Sequence, residues 1–302
     1  MPFVGELAAI GTSLCFSFGS VLFTRAGREI GSPLVNRTRL LVSVMLVMMW
    51  HTLTFGQPLP LDAAGERWFW LGLSGFIGFA LGDAFLFQSF VMVGPRLAML
   101  MMALAPVLAA ILAAIFLQEV LVPVELLGIG ITLAGIIIVI IERQAKNGVE
   151  PAPGDTRRYV IGLLCGLGGA IGQASGLILS KLGLAGGFPP LSGNIIRLVV
   201  AMLIIWALAI ANRQLITSYK TLRTHPRAVM LLIGGAILGP VLGVWLSLVA
   251  VQNTNVGVAS TLSSLMPIFL IPISYFAFGE RVTKQAIIGT AVAFAGMVVL
   301  FF

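Results

Sequence analysis

Gly128-Ile129-Gly130-Ile131-Thr132-Leu133-Ala134-Gly135 returns, 161 positions on, as Gly289-Thr290-Ala291-Val292-Ala293-Phe294-Ala295-Gly296. The flanking glycines and the Ala-Gly pair keep their places, and most residues between them stay apolar. The same shift carries Gly78 onto Gly239, Gly82 onto Gly243, Ala98 onto Ala259 and Leu104 onto Leu265. It also carries Pro106 onto Pro267 and Glu119 onto Glu280. Nearer the start of each copy the shift is 157, so that Gly5 meets Gly162, Gly11 meets Gly168, Gly19 meets Gly176 and Pro33 meets Pro190. It then becomes 158, pairing Arg39 with Arg197 and Leu40 with Leu198. Duplication of this kind in an apolar chain is the usual trace of a transporter whose two halves move about a central site.

The 302 residues are 59% hydrophobic and 10% charged, with a mean hydropathy of +1.06. A soluble domain is nearer half apolar and a quarter charged, so the chain is expected to lie in a bilayer. Crossing the hydrocarbon as a helix takes about 20 apolar residues, whereas barrel strands would alternate apolar and polar. The apolar runs here are continuous. Ten of them stand at roughly 4–24, 34–54, 68–92, 97–118, 124–141, 159–180, 191–211, 228–251, 257–278 and 285–302. The expected fold is thus an all-α integral membrane protein of ten transmembrane helices, arranged as two five-helix repeats. The first repeat covers 1–142 and the second 159–302. Between them, 143–158 holds Pro151, Pro153, Gly154 and four basic residues and reads as a flexible cytoplasmic linker.

Charge sets the orientation. With the N-terminus outside, the odd-numbered loops and adjoining helix ends hold fifteen of the Lys and Arg residues, from Arg25 and Arg28 to Arg281 and Lys284. The other face holds three, Arg67, Lys181 and Arg197. The positive-inside rule then places both termini outside. Equivalent loops of the two copies exchange their charge: Arg67 alone precedes the third span, but Arg213, Lys220, Arg223 and Arg227 precede the eighth. Such an exchange is expected of inverted repeats. The net charge of +7 is explained by topology, and no nucleic-acid partner is expected. Met1 to Glu6 lacks a basic run and no cleavage signature follows, so the first span is expected to be retained. Cys15 and Cys165 lie inside spans and make no disulfide framework.

Small residues four apart allow close helix contact. Ser74, Gly78 and Gly82 form such a ladder, matched by Gly235, Gly239 and Gly243; Gly11, Cys15 and Gly19 match Gly168, Gly172 and Gly176. Pro106 and Pro267, both inside apolar runs, are expected to kink their helices at equivalent points and to mark the substrate region. Pro240 has no proline partner in the other copy.

Asp83 is the acidic residue placed deep within a span, where an ionisable group is costly and normally serves a cavity or a partner. It is the candidate for proton coupling; a structural ion pair is the alternative. Its counterpart is Val244. Ser17, Gln88, Gln173 and Asn194 could bind a polar solute or bridge helices. Arg39 and Arg197 could attract an anion or anchor helix ends. Ser260, Thr261, Ser263 and Ser264 precede Pro267, while Met99, Met101 and Met102 precede Pro106, so a hydroxyl wall is expected to face a soft apolar one. Phe79, Phe87 and Trp245 could extend the apolar surface. Glu119 and Glu280 are expected to cap the helix that follows each. His51 and His225 make no metal cluster, and no cofactor is expected.

The stretch Phe278-Gly279-Glu280-Arg281-Val282-Thr283-Lys284-Gln285-Ala286-Ile287-Ile288-Gly289, closing with Gly296, resembles the end of an EamA-like repeat of the drug/metabolite transporter superfamily. Val256 to Pro267 is similar to that family's ninth helix. The first copy departs from the pattern, with Gln118-Glu119 where Gly-Glu is usual and Pro123 at the next helix start. The resemblance implies ten helices, inverted repeats and alternating access to a central cavity, carrying an amino acid-like or amphipathic metabolite, often outward. The cell (inner) membrane of a prokaryote, a monomer or homodimer, and a proton or other coupling ion are further expectations. A passive facilitator, channel or lipid scramblase would share this architecture. A membrane-embedded enzyme would need a nucleophile with a base or a ligand cluster, and no GxSxG, paired-His or Asp-rich motif is present.

The charge bias makes a direct prediction. Alkaline phosphatase fused at either terminus should be active outside the membrane, and a fusion in the 143–158 linker should be silent; the opposite pattern contradicts the orientation.

Overall fold

Gly135 and Gly296 bring two helices into backbone contact. A Cβ on Gly135 would lie 2.4 Å from the Ala293 nitrogen, and one on Gly296 would lie 2.4 Å from the Thr132 nitrogen. Equivalent glycines of the two copies thus meet across one seam. The computed structural model describes residues 3–86, 88–89, 92, 101–102, 104–145, 156–266, 268–269, 272–273 and 283–299. Among these every regular element is helical: α1 (Val4–Ile30), α2 (Ser32–Phe55), α3 (Gly65–Gly75), α4 (Ala105–Phe116), α5 (Pro123–Ala145), α6 (Thr156–Gly183), α7 (Pro190–Ala211), α8 (Leu215–Thr224), α9 (Pro226–Ala236), α10 (Val244–Asn253), α11 (Val256–Ser263) and α12 (Lys284–Val299).

Six helical stretches are long and apolar enough to cross a bilayer: Val4–Gly27, Pro33–Phe55, Gly65–Leu86, Tyr159–Gly183, Pro190–Ala211 and Pro226–Asn253. Ala105–Phe116, Pro123–Ile138 and Ile287–Val299 are apolar but shorter. The described residues therefore carry fewer full-length spans than the ten apolar runs. Leu7, Met45, Leu53 and Ile115 point outward and are more than half exposed, as befits a surface solvated by lipid. The chain is a multi-pass membrane protein.

Two of the spans are not plain α-helices. Phe76–Gly82 follows α3 as a π-helical turn, and Ile237–Gly243 does the same between α9 and α10. Adding 161 to the first range gives the second, so the distortion is duplicated residue for residue. A π-turn widens the helix and shifts its hydrogen bonds by one residue, leaving carbonyls to be satisfied from elsewhere. Asn194 does this for the second turn: its Nδ2 donates to Pro240 O at 3.0 Å and Val241 O at 3.3 Å. Pro240 occupies the position of Phe79, and lies inside that turn. Pro106 sits in the first turn of α4, not within a continuous helix. There its missing N–H would have had no intrahelical acceptor anyway. Pro267 lies outside the described residues.

The glycine ladders pair across the copies. Cβ atoms on Gly172 and Gly176 would come within 2.8 Å of Gly82 Cα and 3.3 Å of Gly78 Cα, and Ser74 Oγ donates to Gly176 O at 2.6 Å. On the other side of the molecule, a Cβ on Gly19 would lie 3.4 Å from Gly239 N. Gly235 and Gly243 seat the rings of Phe23 and Phe16. The first helix of each copy thus packs on the third span of the other.

At one end the loops are cross-tied. Lys181 forms an ion pair with Glu119, and its Nζ donates to Thr254 O at 2.8 Å. Glu119 Oε2 accepts from Val256 N at 2.8 Å. Glu119 therefore caps α11, in the other copy, and not the helix that follows it in sequence. That helix is served by Glu125, whose Oε2 accepts from Val122 N at 2.9 Å. His51, 1% exposed, joins Gln57 O at 2.6 Å to Ser192 Oγ at 2.9 Å.

Replacing Gly135 or Gly296 by Leu should separate α5 from α12 and cost about 1–3 kcal/mol through overpacking. Gly130, with nothing within 4 Å of an added Cβ, should accept Ala with stability unchanged or raised. Thermal melting of the detergent-solubilised variants checks this; equal melting of all three substitutions would contradict the seam.

Candidate functional site

A cavity of about 180 Å³ opens where both copies contribute walls. Thr12 and Phe16 come from α1, Phe79 from the first π-turn, Ala105 from α4 and Ile136 from α5. The second copy adds Gln173 and Leu177 from α6, Arg197 from α7, and Val244 and Ser247 from α10. Ser260 and Ser263 of α11 complete the wall, with Ser264 and Met266 beside them and Met102 opposite in sequence. An apolar cavity of roughly 150 Å³ admits a benzene-sized molecule, so this one suits a small solute.

The dominant charge on the lining is Arg197. It is 4% exposed, and its Nε and Nη1 have no hydrogen-bond partner among the described residues. Its Cζ lies 4.7 Å from the centroid of the Phe79 ring. Gly75 allows α7 to come this close: a Cβ there would stand 2.2 Å from Arg197 O. A charged side chain within the membrane costs on the order of 3 kcal/mol or more. A desolvated cation–π contact returns about 2 kcal/mol. The guanidinium is therefore under-compensated by the protein around it. Among the described residues no acidic one lines the cavity.

The other residues singled out by sequence divide clearly. Phe79, Gln173, Arg197, Ser263 and Ser264 line the cavity, together with Met102 and Ser260. Gln173 and Ser263 make no side-chain hydrogen bond among the described residues, which leaves both available to a solute. Asp83 is instead ion-paired with Arg39, and neither belongs to the lining. Arg39 Nε also donates to Asn36 Oδ1 at 2.8 Å. Ser17, fully buried, donates to Ser13 O at 2.6 Å and to Met266 O at 3.1 Å, bridging α1 to the segment after α11. Asn194 braces the second π-turn. Trp245 packs edge-to-face on Trp50 at 5.1 Å, and Gln88 is exposed. Gly78, Gly82, Gly239 and Gly243 lie in the π-turns or at their ends and set the helix contacts described above. Phe87 and Met99 lie outside the described residues, as does Pro267. Among the described residues no cluster of His, Cys, Asp and Glu could hold a metal ion.

Thr12, Phe16, Ile136 and Ser247 escaped the sequence reading because nothing in their local pattern separates a cavity wall from ordinary packing. Asn36 also escaped it, although a signal exists: Asn precedes Arg by three residues in both copies, at Asn36 and Arg39 and at Asn194 and Arg197.

Comparison with known proteins completes the description. The profile of the EamA-like transporter family matches twice, over residues 3–141 and 160–302. A search of curated proteins returns no match. Among 29 matching solved chains, one described as "Crystal structure of protein" superposes with a TM-score of 0.74 at 17% identity, over 99% of this chain and 96% of its own. At that identity the likeness concerns the fold. Two family matches that together span nearly the whole chain make this protein a member of the EamA-like transporter family, within the drug/metabolite transporter superfamily.

Proposed function

We propose that this chain is a secondary active transporter that moves a small amphipathic or amino acid-like metabolite, outward, by alternating access to the cavity. Its ten spans form two inverted five-helix repeats, 1–142 and 159–302, joined by the 143–158 linker. The observation that carries this reading is the composition of the cavity wall, since both family-matched stretches line one space. Repeat interfaces are where transporters of this kind bind their cargo. The duplicated π-turns support it further. They place distorted, less rigid helix at Phe76–Gly82 and Ile237–Gly243, beside glycine-lined contacts along which helices can slide. One wall presents hydroxyls from Ser260, Ser263 and Ser264, and the rings and thioether of Phe16, Phe79 and Met102 supply an apolar surface, which suits an amphipathic solute.

The Asp83–Arg39 pair is the coupling element in this reading. Protonating Asp83 would break the pair and free α2 from the third span, so proton release and uptake would bias which face is open. Removing the carboxylate alone leaves the half-buried Arg39 without its partner, so the double variant is the informative one.

Proteoliposome counterflow should show saturable, competable exchange; flux that rises linearly with concentration would replace the carrier by a channel. Cells expressing the protein should accumulate its cargo outside. A pH gradient should stimulate transport by the wild type but not by Asp83→Asn/Arg39→Gln, whose counterflow should persist. Stimulation undiminished in the double variant would remove Asp83 from coupling.

A further inference from the structure

The two copies align Asn36 with Asn194, Arg39 with Arg197 and Asp83 with Val244. In the first copy these residues form a closed set. Arg39 Nε donates to Asn36 Oδ1 at 2.8 Å and Nη2 pairs with the Asp83 carboxylate. In the second copy the asparagine and arginine are kept and the carboxylate is gone. Arg197 Nε and Nη1 and Asn194 Oδ1 are all buried without a hydrogen-bond partner among the described residues. Val244, standing where Asp83 stands, lines the same cavity as Arg197.

We infer that the missing carboxylate is brought by the cargo: Arg197 is an anion subsite, and the solute is a small monocarboxylate with an apolar body. The inference rests on the reading of the cavity as the translocation site, and it names the class of cargo. Among the described residues none closes the site, because Asp83 is the acid that the sequence places deep in a span and Arg39 already holds it. A guanidinium presents a planar fork that matches a carboxylate in two parallel hydrogen bonds. The one cation among the described lining residues balances one negative charge, which argues against a phosphate dianion. No acidic residue stands among the described residues of the wall as a counter-charge for an ammonium, which argues against a zwitterionic amino acid. Gln173 and Ser263 offer further donors to the carboxylate oxygens. Phe16, Phe79 and Leu177 offer the surface for the apolar body, and about 180 Å³ sets its size near that of an aromatic or short aliphatic acid. Arg39 shows within the same chain what such an arginine holds when its partner is present.

The test is calorimetric titration of the purified full chain in nanodiscs with benzoate, acetate and hexanoate, beside methyl benzoate, benzylamine and phenylalanine. At least one of the acids should bind. Methyl benzoate, benzylamine and phenylalanine should bind roughly 10- to 100-fold more weakly than that acid, the ratio expected for losing a charge-assisted hydrogen bond. Arg197→Gln should lower acid affinity by a similar factor, and Arg197→Lys should recover part of it by keeping the charge without the fork. If Arg197→Gln does not yield folded protein, the wild-type comparison of each acid with the uncharged and cationic probes decides alone. Equal binding of benzoate and its ester, preference for benzylamine or phenylalanine, or no binding of any acid overturns the inference. Acid binding without counterflow of that acid keeps the anion subsite and removes the transporter reading. Counterflow of another solute with no acid binding does the converse.

Discussion

Inside a bilayer a charge must find its counter-charge within the protein, and this chain has two equivalent arginines, Arg39 and Arg197, while among the described residues Asp83 is the carboxylate deep in a span and it pairs with Arg39. Everything distinctive about the cavity follows from that imbalance. Arg39 takes the carboxylate and a neighbouring amide, and becomes part of the scaffold that ties α2 to the third span. Arg197 is left 4% exposed over the face of Phe79, with Val244 where its partner would be. Burying an unpaired cation lowers stability, so its presence on a cavity wall is a cost that a scaffold alone has no reason to carry. A solute that supplies the charge turns the cost into binding energy.

The same economy governs the backbone. Lipid offers no hydrogen bonds, so wherever a helix departs from the α pattern another side chain must answer. The turn at Ile237–Gly243 frees carbonyls that Asn194 satisfies, and this holds the N-terminal half of α7 against the second π-turn. Gly75 then lets α7 press on α3 at Arg197 itself. The residue proposed to bind and the second distorted turn are therefore joined through one helix. Across the molecule, Gly172 and Gly176 meet Gly82 and Gly78 with no side chain between them, which keeps these contacts close yet smooth.

Much of this was legible in the sequence, because glycine spacing and hydrophobic period survive duplication. The matched ladders named the surfaces at which α1 and α6 pack, and the shift of 158 brought Arg39 and Arg197 together as equivalents. Of the serines before Pro267, Ser260, Ser263 and Ser264 line the cavity, and of the methionines before Pro106, Met102 does. The π-turns were not legible, since one extra residue per turn leaves no mark on composition. Nor was the partner of Asp83, because a span reveals how deep a residue lies but not which neighbour it faces. Glu119 was misassigned to its own following helix for a similar reason: Val256, whose N–H it accepts, is 137 residues away in sequence and adjacent only in the fold.

The claim that Arg197 waits for a carboxylate is tested most directly by putting one back. Val244→Asp rebuilds in the second copy the set that Asn36, Arg39 and Asp83 form in the first, and Val244→Asn provides a neutral control of the same size. Melting and benzoate titration of the two variants should show Val244→Asp assembled, at least as stable as the wild type, and unable to bind the acid, with Val244→Asn still binding. Benzoate binding by Val244→Asp at wild-type affinity would contradict the account.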